Sequence, residues 1–188
     1  PGEEAEFWAG PVFLGSTEAD HKVSPLDLFP DADLEDPRIK KACEFVLRWS
    51  QDWESGGFSY RGSKSKGGQH SGVIPCLTGN MTWCMIRFGY LDDPRIQRAI
   101  GWITATSRFD DGGGKIPEGW PYDRWDQCWG KHTCMSGVVK GLKALAEIPQ
   151  EKRDEDIQSF IQNAAEFILM HHLYKRSHDP TKTAKPKW

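Results

Sequence analysis

The apolar positions fall in stripes at helical spacing, and one stripe occurs three times. Ala42-Cys-Glu-Phe-Val-Leu-Arg-Trp49 recurs without a gap as Ala164-Ala-Glu-Phe-Ile-Leu-Met-His171, an offset of 122. Between them, at an offset of 57, Ala99, Trp102 and Ile103 match Ala42, Phe45 and Val46. At that same offset Asp36-Pro-Arg-Ile39 recurs as Asp93-Pro-Arg-Ile96. An acid before proline, just ahead of an apolar stripe, is a helix start: proline suits the first turn, and the carboxylate caps free amides. The pattern predicts helices over about 37–50, 94–106 and 154–174.

Two further segments, Cys76 to Tyr90 and Cys134 to Ile148, are apolar around much of their circumference and carry small residues. Helices of that kind are buried on several sides. Glycine-rich loops, Glu54-Ser-Gly-Gly-Phe-Ser-Tyr60 and Asp110-Asp-Gly-Gly-Gly-Lys115, follow the first two striped helices. The repeating unit is thus an outer helix, a glycine-rich turn and an inner helix. No alternating segment of useful length predicts a strand, so the class is all-α. Residues 1–36 read as an irregular segment, with Phe7 to Gly15 as a remnant of an earlier repeat. Residues 37–188 read as the repeat domain, ending after Ser177 in a basic, proline-broken loop.

Composition adds limits. A net charge of -3 gives no reason to expect nucleic acid, and no apolar run approaches the length of a membrane span. Five cysteines, an odd number, with no visible leader, point to a reduced, cytoplasmic setting. The chain starts at Pro1 and reads as processed or cut, so the missing leader weighs little. Nine tryptophans predict an aromatic core or cavity.

The densest chemistry lies in Tyr122-Asp-Arg-Trp-Asp-Gln-Cys128-Trp-Gly-Lys-His132-Thr-Cys134. Thiol and imidazole are ligands that zinc prefers, and a helix start favours thiolate over thiol. Three readings stay open for Cys128, His132 and Cys134: a metal site, structural thiols in a helical core, or a reactive thiol paired with His132. Cys43 and Cys84 fall on helix stripes and read as packing. His171 and His172 end a helix, where a cationic group suits the carbonyls. His70 sits in a basic, glycine-rich loop and reads as solvated. Trp49 and Trp102 belong between helix layers. Trp83, Trp120, Trp125 and Trp129 are candidate ligand-binding residues.

Ser55-Gly-Gly-Phe58, Cys76-Leu-Thr-Gly-Asn80, Tyr90-Leu-Asp-Asp-Pro94 and Phe109-Asp-Asp-Gly-Gly113, set between paired helices over about 37–174, resemble the terpenoid cyclase and protein prenyltransferase superfamily. The chain looks most like its uncharacterised prokaryotic prenyltransferase or squalene-oxidase repeat members. The resemblance implies an α/α toroid, here a partial barrel of about three helix pairs. A partner copy or further chain would complete the ring. It implies an apolar ligand, a small isoprenoid or a lipid, in an aromatic-lined cavity. The Asp-x-Asp-Asp acid of squalene-hopene-type cyclases is missing; Asp92-Asp93 and Asp110-Asp111 are the nearest pairs, and Asp92-Asp93 reads as a cap. Prenyltransferases place zinc on an Asp-x-Cys pair and a later histidine. Asp126 and Cys128 have that spacing, and His171, His172 or His178 could follow.

In a toroid, equivalent positions on neighbouring inner helices meet at one rim. Aligning Ile86-Arg87 with Leu142-Lys143 sets Cys76 opposite His132 and Thr78 opposite Cys134. Cys76, Asp126, Cys128, His132 and Cys134 are then the expected metal set, with zinc as the cofactor. Asp126, Cys128 and His132 are the catalytic candidates. Two functions follow: a prenyltransferase- or cyclase-like enzyme on an apolar substrate, or a non-catalytic repeat protein binding a peptide, lipid or partner subunit, with structural cysteines.

Overall fold

A computed structural model of the chain describes residues 36–176 and 179–183. The expectations for Phe7 to Gly15, for His178 and for the rest of the first 35 residues fall outside that range.

The described chain is mostly helical. Its elements run α1 (Pro37–Trp49), β1 (Gly62–Ser63), β2 (Gly67–Gly68), α2 (Pro75–Arg87), α3 (Pro94–Thr106), α4 (Asp126–Trp129), α5 (Met135–Ala146) and α6 (Glu155–Met170). Helices α1 and α3 start by the same device, 57 residues apart. The Asp36 and Asp93 carboxylates accept from the Arg38 and Arg95 amides at 2.8 Å, with proline next in line. Asp154 caps α6 by accepting from Ile157 N at 2.9 Å. Each such cap is worth about 1 kcal/mol.

Helices α2 and α5 make the centre. Ten of the thirteen residues of α2 are buried, which accounts for its lack of a polar face. The two helices approach through glycine. A Cβ on Gly79 would lie 2.6 Å from the Lys140 carbonyl carbon, and one on Gly137 would lie 2.9 Å from the Pro75 ring. Helix α3 packs on α2, and α6 packs on both α5 and α3. Leu47, Phe58, Met81, Ile96, Leu145 and Phe160 fill the shared core.

The chain departs from the pattern reading at helix ends. Helix α2 stops at Arg87, because Gly89 takes φ +84°, the left-handed stop for which glycine is suited. Helix α6 stops at Met170 rather than 174, since His172 and Leu173 both turn to positive φ. The glycine-rich stretch after α1 also forms a small antiparallel hairpin, Gly62–Ser63 with Gly67–Gly68. Two-residue strands leave no alternating signal to read.

Gln51 fastens the loop after α1 to the start of α3. It is fully buried, and its amide donates to the Gly56 and Arg95 carbonyls at 2.8 and 2.7 Å. Arg108 stands 57 residues later, after α3. Its guanidinium donates to the Gly130 carbonyl at 3.0 Å and to Asp110 at 2.7 Å. Both long polar side chains fasten a loop that leads toward one of the two central helices, α2 and α5.

Candidate functional site

Helix α5 begins at Cys134. Its backbone is extended, and its sulfur accepts from the Gly137 amide at 3.4 Å, so the thiol itself is the N-cap. The short α4 delivers Cys128 to the same cleft, within electrostatic reach of the Cys134 sulfur. Both side chains line a cleft of about 20 Å³ with Ser107, Arg108, His132 and Thr133. Cys76 stands on the second residue of α2, beside the Pro75 ring that packs on Gly137, and it feels the charge of Cys134.

The electrostatics divide the three thiols. The Cys128 thiol, against the opposing effect of burial and with help from the Gly137 and Ser136 amides and the charge of Lys140, lowers Cys134 to about 7. The same interaction, with burial, pushes Cys128 upward. Burial pushes Cys76 upward as well, with the neighbouring Cys134 charge adding to it. The thiol whose proton is eased off is the one at the helix start, where thiolate is favoured. Cys43, by contrast, is buried in the core and raised to about 11, first by burial.

The 56-residue alignment of the inner helices is corrected by their starts. The N-caps are Ile74 and Cys134, 60 residues apart. Cys134 thus answers Ile74, not Thr78, and Cys76 answers Ser136 rather than His132. Thr78 is itself a lock: its hydroxyl accepts from Phe58 N at 2.9 Å and donates to the Ile74 carbonyl at 2.9 Å.

His132 does reach the cleft, but its Nδ1 faces Asp111 Oδ1 at 3.6 Å. The other Asp111 oxygen faces His171 Nε2, also at 3.6 Å. Asp111 itself has φ +47° and exchanges contacts with Thr133, donating its amide to Oγ1 at 3.1 Å. His171 is 6% exposed, not at a solvated helix end. This histidine–aspartate–histidine chain links three distant segments; His132 and His171 were each candidate ligands in the sequence, but not as partners of Asp111. The adjacent Asp110-Asp111 pair in a glycine loop was the available signal.

Asp126 is exposed on the first turn of α4. Zinc, which the resemblance implies, does not fit this arrangement. Among the described residues no group of three or more His, Cys, Asp or Glu could hold a metal ion. The thiols engage one another and the Gly137 amide, and His132 faces a carboxylate.

The candidate tryptophans separate. Trp129 is buried and forms one wall of the cleft. Its ring meets Trp102 at 5.7 Å and Tyr122 at 5.5 Å, both edge-on. Trp120 extends the layer through Trp102 and stacks on His70 at 3.9 Å. Trp125 packs on Tyr60 and donates to the Ser71 carbonyl at 3.2 Å. Trp83 lies elsewhere, in a separate cluster with Cys84, Ala144 and Phe88. Lys143 sits over its ring at 3.4 Å, and its indole donates to Glu147 at 3.1 Å.

His70 is partly exposed but held in place. Its Nδ1 pairs with the buried Asp52 at 2.7 Å. Sequence reasoning missed this pair, because eighteen residues of irregular chain separate the partners.

No family model, curated protein or solved structure matches the chain. Among the described residues no helix is long and apolar enough to cross a membrane.

Proposed function

We propose that this chain is an α/α-repeat protein, part of a toroid of the terpenoid-cyclase and prenyltransferase kind, that takes the electrophilic end of an apolar ligand onto the Cys134 sulfur. The observation that carries this reading is the Cys134 sulfur capping α5, where it accepts from the Gly137 amide at 3.4 Å, with Cys128 on the same cleft. A thiolate is the nucleophilic form of cysteine, and a helix start favours it. The chemistry is S-alkylation: the sulfur–carbon bond forms, and the leaving group departs with its electron pair. The aromatic layer of Trp102, Trp120, Tyr122 and Trp129 runs away from the cleft wall and supports an apolar ligand body. An isoprenoid with an allylic leaving group belongs to this class. Alkene protonation does not, since the sequence has no Asp-x-Asp-Asp acid.

Two alkylating reagents test the reading: iodoacetamide, and its derivative bearing a long alkyl chain. Burying even two methylenes is worth about 1.6 kcal/mol, more than tenfold in rate or affinity. The long-chain reagent is expected to label Cys134 at least about tenfold faster than the short one. Equal rates on Cys134 would remove the apolar ligand.

A further inference from the structure

We propose that Cys128 and Cys134 form a reversible disulfide, with Cys134 as the attacking thiol and Cys128 as the resolving one. The inference rests on the reading of Cys134 as the reactive thiol and adds a second state to it. Reduced, the cleft presents a nucleophile; oxidised, it presents none.

The fold sets up the pair. The two cysteines stand at either end of a short connection, Cys128 on α4 and Cys134 at the cap of α5. Both residues line the same small cleft, of about 20 Å³. Arg108 anchors the connection by donating to the Gly130 carbonyl at 3.0 Å. Cys43 and Cys84 are buried in core positions and do not line the cleft. Cys76, within electrostatic reach of Cys134, is the rival partner.

A hydroperoxide is the oxidant class that suits a cysteine held as thiolate near neutral pH. The Cys134 sulfur attacks the peroxide: the S–O bond forms, the O–O bond breaks, and hydroxide leaves. The resulting sulfenic acid is attacked by the Cys128 sulfur. The S–S bond forms, the S–O bond breaks, and water leaves with the Cys128 proton. Two thiols and one hydrogen peroxide give one disulfide and two waters. A small dithiol reverses the change by exchange.

The test uses the full chain, reduced and then treated with one equivalent of hydrogen peroxide. Titratable thiols in denaturant are expected to fall from five to three. Intact mass should drop by two hydrogens, and non-reducing peptide maps should join Cys128 to Cys134. Dithiothreitol should restore all five thiols. Cys76→Ser should behave as wild type. In Cys128→Ser, Cys134 should stop at sulfenic acid and be trapped by dimedone. A link to Cys76, or persistent sulfenic acid in the wild type, would overturn the inference. Fast alkylation of Cys134 without any disulfide sinks this inference alone. Failure of Cys134 to react with either iodoacetamide or peroxide sinks the proposed function with it.

Discussion

The Gln51 side-chain amide donates to the Arg95 backbone carbonyl at 2.7 Å, across 44 residues of chain. The same nitrogen also reaches the Gly56 carbonyl, so a single buried amide fastens the first glycine-rich loop to the start of α3. Gln51→Ala leaves two carbonyls short of a donor, and an unsatisfied buried polar group costs about 1–3 kcal/mol. The expected loss of stability is about 2–3 kcal/mol by urea unfolding. Gln51→Glu should be worse, because it brings carboxylate oxygens against the same carbonyls.

Two glycines should respond to alanine with opposite signs. Gly79 faces the Lys140–Gly141 backbone, where an added methyl has no room. Gly79→Ala should cost about 1–3 kcal/mol through separation of α2 and α5. Gly101 lies inside α3, and a methyl there meets nothing within 4 Å. Gly101→Ala should gain about 0.5–1 kcal/mol. Thermal unfolding of the two variants reads both signs.

Arg95 holds Glu44 at 2.8 Å and Asp93 at 2.7 Å. The Arg95 guanidinium lowers both carboxyls below their ordinary values of 4.5 and 3.8. Groups lowered in the folded state stabilise it above their ordinary range. That contribution disappears as pH falls through the lowered values. Arg95→Met should therefore flatten the acid limb of the stability–pH curve below about pH 4.5. The effect at neutral pH should stay near or below about 1 kcal/mol, since the groups are partly solvated.

The thiols give a second pH dependence. Cys134 is lowered from 9.0 to about 7 in the fold. Its contribution to stability is present above the unfolded value and lost as pH falls through about 7. Cys128 is raised, so its contribution has the opposite sign and is lost at higher pH, when its proton must leave. Wild type should gain stability over Cys134→Ala as pH rises from 7 to 9. The gain should reverse further into base. Urea midpoints at a series of pH values check both limbs.

The outer helices were legible because their start signals are local: Asp36-Pro37 and Asp93-Pro94 fix α1 and α3 within a residue or two. That Cys128, His132 and Cys134 line one cleft follows from their places in the short tract leading into α5. That Cys134 is the cap itself does not appear in spacing. The pairs Asp52–His70 and Asp111–His171 were hidden for a different reason. Their partners come from separate loops and helix ends, where no periodicity links them.

The account turns on Cys134 being the thiolate among Cys76, Cys128 and Cys134. At pH 7 a pKa of about 7 raises the thiolate fraction about fifty-fold over an ordinary cysteine, and lower nucleophilicity returns roughly tenfold, leaving about fivefold in rate. The direct measurement is iodoacetamide labelling of the native chain from pH 5 to 10, with each cysteine resolved by peptide mapping. Cys134 should label first, about fivefold faster than free cysteine at pH 7, with its half-maximal rate near pH 7. Prior labelling of Cys76 or Cys128, or a Cys134 midpoint near 9, would contradict it.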